Sequence, residues 1–135
     1  MLRGMTTFVL VADDVAAAAA WYTELLGVEP YFRRDAGGKP AYVEFRIGDY
    51  QHELGIVDSR FVPPRGTGGA VAYWHVDDIE AAFARLRSLG ATEHEPVTER
   101  GEGFVTASVT DPFGNLIGVM FNQHYLDILG ARRAA

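Results

Sequence analysis

The sequence predicts an α+β fold built from two copies of one βαβββ module. Two observations carry the prediction. Residues 10–27 read "LVADDVAAAAAWYTELLG" and residues 74–90 read "WHVDDIEAAFARLRSLG", so an aspartate pair followed by an alanine-rich, helically spaced segment occurs twice, about half a chain apart. Each copy is preceded by one strand-like run and followed by three.

The elements follow in order. "TTFVLVA" and "AVAYWHV" are apolar and β-rich, as first strands should be. Asp13 and Asp77 are read as the helix caps, with Glu80 completing a capping box in the second copy. Gly27 and Gly90 suit the left-handed position that ends a helix. The later strands are "PYFRR", "AYVEFRI" and "YQHELGIV", then "TEHEPVT", "GFVTASVT" and "LIGVMFN". "IGDY" (47–50) reads as a two-residue hairpin turn and "DPFG" (111–114) as a type I turn. "DAGGKP" and "RGTGGA" lack the Gly-Lys-Ser/Thr ending of a phosphate loop and read as connectors. Module one is expected at about 5–61, a linker at 62–69, module two at 70–123 and a tail at 124–135, all within a single domain.

Composition removes several functions. The chain has 135 residues, a net charge of −6 and no cysteine. An acidic surface opposes nucleic-acid binding, and without cysteine there are no disulfides, thiolate sites or cysteine nucleophiles. "VAAAAAWY" is too short to span a bilayer, and "MLRGMTT" has no apolar signal core, so a cytoplasmic location with no membrane partner is expected.

Alternation sorts the strand residues by face. Tyr42, Glu44 and Arg46 share a face with Glu53, and the short turn would set Glu44 directly opposite Glu53; either one of the two carboxyls has a raised pKa, or Arg46 and water neutralise the pair. Tyr73, His75, Phe104, Thr106, Ser108, Met120 and Asn122 share the corresponding face of the second module. His52 and Trp74 fall on the helix side; Trp21 and Tyr22 read as core or interface, and His94 and His124 as surface. No serine has the setting of a nucleophile.

The paired modules, the "DD" before an alanine-rich helix with "WYTELLG", and the closing "DPFGNLIG" together resemble the vicinal oxygen chelate superfamily, which includes glyoxalases, bleomycin resistance proteins and extradiol dioxygenases. The resemblance covers roughly residues 5–123. It implies a curved mixed sheet around a cavity, with helices outside. It also implies four metal-ligand positions, which fall on Thr7, Glu53, Val71 and Gly118; only Glu53 carries a ligand side chain. The expectation is therefore a metal-independent binding protein with no cofactor, resembling the bleomycin-resistance branch. It would be a homodimer that sequesters an aromatic or planar small molecule, with an antibiotic as one candidate. Its expected ligand-binding residues are Tyr42, Arg46, Glu53, Tyr73, His75, Phe104, Ser108, Met120 and Asn122. The alternative is an enzyme: a lyase, isomerase or oxygenase with an altered divalent-metal site using Glu53, Glu44 and His75, or a metal-free acid–base catalyst using Glu44 and Glu53. A protein-interaction module is the third class, if the pocket is filled by its own side chains.

Overall fold

A computed structural model describes residues 1, 3–62 and 71–135. The chain forms two compact units, Met1–Thr67 and Gly68–Ala135. The expected linker beyond residue 62, the "RGTGGA" connector and Ala70 lie outside the described residues.

The first unit runs β1 (Thr7–Ala12), α1 (Val15–Leu26), β2 (Phe32–Ala36), β3 (Lys39–Ile47) and β4 (His52–Asp58), ending in a short 3₁₀ turn, Ser59–Phe61. Its sheet has the order β1-β4-β3-β2, with β1 parallel to β4 and the other pairs antiparallel. The second unit repeats the plan with β5 (Tyr73–His75), α2 (Ile79–Ser88), β6 (Thr92–Gly101), β7 (Phe104–Thr110) and β8 (Leu116–Asn122), ordered β5-β8-β7-β6. A third helix, α3 (Gln123–Ala134), follows where the sequence suggested only a tail.

Each unit packs one helix on one face of its sheet. In the first, α1 buries Val15, Ala18 and Tyr22, spaced three and then four residues apart, toward Val43, Phe45, Leu54 and Ile56. Phe45 and Ile56 are 0% exposed, and each such side chain contributes about 1.5–3 kcal/mol of burial. In the second, Ile79 and Leu86 of α2 cover Ala107, Val109, Ile117 and Val119. His52 pairs with Ile47 on the helix side, as alternation predicts, but is half-buried rather than core.

Three local expectations are corrected. The helix caps are Asp14 and Asp78, one residue later than predicted: their carboxylates accept from the Ala17 and Ala81 amides, both at 3.0 Å. Glu80 therefore lies one position too early for a capping box, although its charge still suits the helix N-terminus. The first aspartate of each pair reaches backward instead. Asp13 accepts from the Ser59 hydroxyl at 2.5 Å, and Asp77 accepts from His75 Nε2 at 3.2 Å. Helix α2 ends in a Schellman pattern, with Gly90 donating to Arg87 and Ala91 to Leu86, while Gly90 sits at φ +101°.

The third correction concerns the β3–β4 hairpin. Its loop has four residues, Gly48 to Gln51, rather than two. Gln51 takes a left-handed φ of +53° and bonds Gly48 O through both its amide (3.1 Å) and its side chain (2.9 Å). The register is consequently Arg46 opposite Glu53 and Glu44 opposite Gly55, not Glu44 opposite Glu53. "DAGGKP" forms the β2–β3 turn, with Gly37 and Gly38 both at positive φ, as a type I′ hairpin requires. "DPFG" closes as a β-turn, with Gly114 N donating to Asp111 O at 3.2 Å.

Candidate functional site

The face of the first sheet turned away from α1 divides into a polar half and an aromatic half, with Tyr42 at the border. In the polar half, Thr7 donates to Glu53 Oε1 at 3.3 Å, and Arg46 reaches Glu53 Oε2 at 3.6 Å. The Arg46 guanidinium also lies 4.8 Å from the centre of the Tyr31 ring. Glu44 receives two phenols: Tyr42 donates to one oxygen at 2.5 Å, and Tyr31 donates to the other. Burial is the first cause that pushes the Glu44 carboxyl above its ordinary value; the Glu53 charge adds to it and Arg46 opposes it. Burial, with the Glu53 charge behind it, also raises the Tyr42 phenol, so the hydroxyl stays protonated.

This arrangement makes a pH prediction. A carboxyl whose folded pKa is raised contributes stability that is fully present below its unfolded value, near 4.5, and is lost as pH rises through the folded value. Glu44→Gln mimics the neutral form and should remove that loss. Urea midpoints measured from weakly acidic to neutral pH should fall for the wild type relative to the variant. Parallel curves would refute the assignment.

The aromatic half is a groove of about 500 Å³. Tyr42 and Val57 pair across β3 and β4 and form its floor; Phe32 and Arg34 of β2 and Phe61 beyond β4 form its walls. The Phe32 and Tyr42 rings meet edge-to-face at 6.2 Å. Phe32 and Phe61 remain 41% and 57% exposed, which is unusual for rings of this size unless something covers them. Sequence reasoning missed Phe32, Arg34, Phe61 and Tyr31. The first two were not within reach of turn and alternation: a two-residue Gly-Gly turn alone sets Arg34 opposite Ala41 and Phe32 opposite Val43, and a bulge between Arg34 and Asp35 moves them opposite Tyr42 and Glu44. Phe61 lies past the last strand, where alternation says nothing.

The second unit brings its expected residues onto one face by register but spends their polar groups internally. Tyr73 pairs with Gly118, His75 with Met120, Ser108 with Gly118 and Phe104 with Asn122. His75 accepts the Asn122 amide on Nδ1 at 3.1 Å and donates from Nε2 to Asp77. Its ring stacks on Tyr125 of α3 at 4.7 Å and leans on Phe121, leaving the side chain 7% exposed. Asn122 caps α3, accepting from the His124 and Tyr125 amides, and its Nδ2 approaches the Met120 sulfur at 3.6 Å. Ser108 is 2% exposed and bonded to His94 at 2.9 Å; Phe104 meets His124 edge-on at 5.1 Å. The first turn of α3 thus occupies the end of this face.

The sequence matches the glyoxalase/bleomycin resistance protein/dioxygenase superfamily over residues 4–119. The chain belongs to that superfamily. Solved structures agree on the fold. TioX from Micromonospora sp. ML1 superposes with a TM-score of 0.66 at 17% identity, covering 87% of this chain and 98% of that one. A glyoxalase-related enzyme from Fulvimarina pelagi gives 0.69 at 20% identity, covering 90% of both chains. Lactoylglutathione lyase from Agrobacterium tumefaciens gives 0.62 at 23% identity, covering 87% of this chain and 92% of that one. No curated protein matches the chain.

The superfamily's metal positions do not fit a divalent cation here. Among the described residues, no three His, Asp or Glu side chains are grouped so as to hold one. The one acid, Glu53, is engaged by Thr7 and Arg46. Register further shows that the first-unit counterpart of Gly118 is Gly55, two residues beyond Glu53. Gly55 faces Val9 and Gly118 faces Tyr73, each partner lying five residues before its helix cap. A tyrosine covers each of these glycines. A Cβ built on Gly118 would meet Tyr73 Cδ1 at 2.6 Å and the Ala72 carbonyl at 2.9 Å; one on Gly55 would run into the Tyr42 hydroxyl. Both places are filled by the protein's own phenols.

No helix among the described residues is long and apolar enough to cross a membrane.

Proposed function

We propose that this superfamily member binds and sequesters a planar aromatic small molecule, without a metal, in the groove of its first unit, and that it does so as a homodimer. The carrying observation is the groove itself: Tyr42, Phe32 and Phe61 give it aromatic surfaces on more than one side, around a volume of about 500 Å³. Micromolar affinity requires about 8 kcal/mol. That corresponds to roughly 320 Å² of apolar burial before association costs, an area that two or three ring faces supply. An antibiotic is a reasonable occupant, since the superfamily's name includes a drug-resistance protein.

Native mass spectrometry and calorimetry against a panel of planar aromatic compounds should find a one-per-chain ligand in the micromolar range, with binding unchanged by chelator. Tyr42→Ala removes half of the groove floor and should weaken that ligand about tenfold, the range for losing one aromatic contact. Loss of binding on chelation, or full affinity in Tyr42→Ala, would overturn the reading. The solution mass decides the dimer.

A further inference from the structure

The charges around the groove indicate which aromatic ligands it prefers. Three arginines stand on or beside it, and two are answered by acids. Arg33 meets Asp35, with Nε 2.6 Å from Oδ1, and Arg60 meets Asp58 at 2.8 Å. Arg34 differs. It lies opposite Tyr42 in the β2–β3 register and lines the groove, yet among the described residues no carboxylate stands within ion-pair distance of it. Its guanidinium carbon sits 5.9 Å from the centre of the Phe32 ring. A guanidinium packed against a ring keeps its N–H donors in its own plane, where a carboxylate can accept two of them.

We propose that the groove selects planar aromatic anions, carboxylates foremost, and that Arg34 reads the negative group. The inference rests on the aromatic-binding reading above and adds the ligand's charge and orientation. Asp35 also lines the groove, but Arg33 neutralises it, so Arg34 supplies the unmatched charge. The other end of the face holds Glu44 and Glu53 beyond the Tyr42 ring, with Arg46 3.6 Å from Glu53. An anionic group is repelled from that end and drawn to Arg34. The aromatic body then lies over Tyr42 and Val57, with the carboxylate directed toward β2.

Three matched probes test this by calorimetry at low ionic strength: 2-naphthoate, 2-naphthylmethanol and 2-naphthylmethylammonium. The carboxylate should bind about tenfold more tightly than the alcohol, and the ammonium less tightly than either. The preference should shrink as salt is raised. Arg34→Gln, at an exposed position on an edge strand, should abolish the carboxylate's advantage over the alcohol; because Arg34 also walls the groove, the ratio of the two affinities is the readout. Equal affinities in the wild type, or a preference that survives Arg34→Gln, would overturn this inference and leave aromatic binding standing. Failure of all three probes with folded protein would overturn both.

Discussion

Gly118→Glu, which writes the superfamily's acid back into β8, is expected to destabilise the protein by about 3 kcal/mol and to recruit no divalent cation. Gly118 is buried, and even a methyl group there meets the Tyr73 ring at 2.6 Å and the Ala72 carbonyl at 2.9 Å. The carbonyl is fixed because it accepts the Gly118 amide of the parallel β5–β8 pair at 3.0 Å. A carboxylate would add the cost of desolvating a charge on a buried face, where the Ser108 hydroxyl of the paired strand is already bonded to His94. Denaturant unfolding measures the loss, and calorimetric titration with zinc, nickel or manganese measures the gain. The steric part is separable: Gly118→Ala should be rescued partly, but not wholly, by Tyr73→Ala, since the carbonyl remains. A stable Gly118→Glu that binds metal stoichiometrically would contradict this account.

His75→Ala should cost about 2–4 kcal/mol, more than a typical half-exposed strand residue. The ring does three things at once. It accepts the Asn122 amide, receives the stacked Tyr125 ring, and ties β5 to the start of α2 through Asp77. Truncation leaves the Asn122 N–H unpaired just where that residue must cap α3, so the helix should loosen along with the sheet edge. Hydrogen exchange would show the difference: amides of α3 should lose protection in His75→Ala while those of β3 and β4 in the first unit do not. Unchanged α3 protection would mean that the histidine is not what holds this helix.

The architecture was legible because it rests on short periods. Two-residue alternation sorted Val43, Phe45 and Ile47 from Tyr42, Glu44 and Arg46, and the burial pattern of β3 follows it. The repeated aspartate pair located both helices. The roles within the pair were not legible, because either carboxylate can cap; the choice follows from Val15 and Ile79, which must start the helix to be buried. The β3–β4 register was misread because Gly48 fits a two-residue turn, whereas the left-handed Gln51, held by two bonds to Gly48 O, lengthens it. That shift changed the site: Glu53 gained Arg46 as its cross-strand neighbour, and Glu44 turned to tyrosines instead. Face assignment was correct for His75, Ser108 and Asn122, yet a face does not tell whether a polar group is free. Asp77 and the first turn of α3 lie within three residues of His75 and Asn122, but alternation does not say which neighbour a polar group bonds; His94 lies fourteen residues from Ser108, and α3 buries no residue that would mark it in the sequence.

The two tyrosines lying over glycines also set an order on mutational change. At Gly118, an acid cannot enter by one substitution, because the Tyr73 ring occupies its place; removing that ring first opens a void beside a glycine and confers no metal binding. At Gly55 the corresponding obstacle is Tyr42, whose hydroxyl also holds Glu44 and whose ring floors the groove. A change that places an acid at either glycine must therefore cross sequences that have given up a tyrosine ring before they have gained the carboxylate. The present arrangement is easier to keep than to leave.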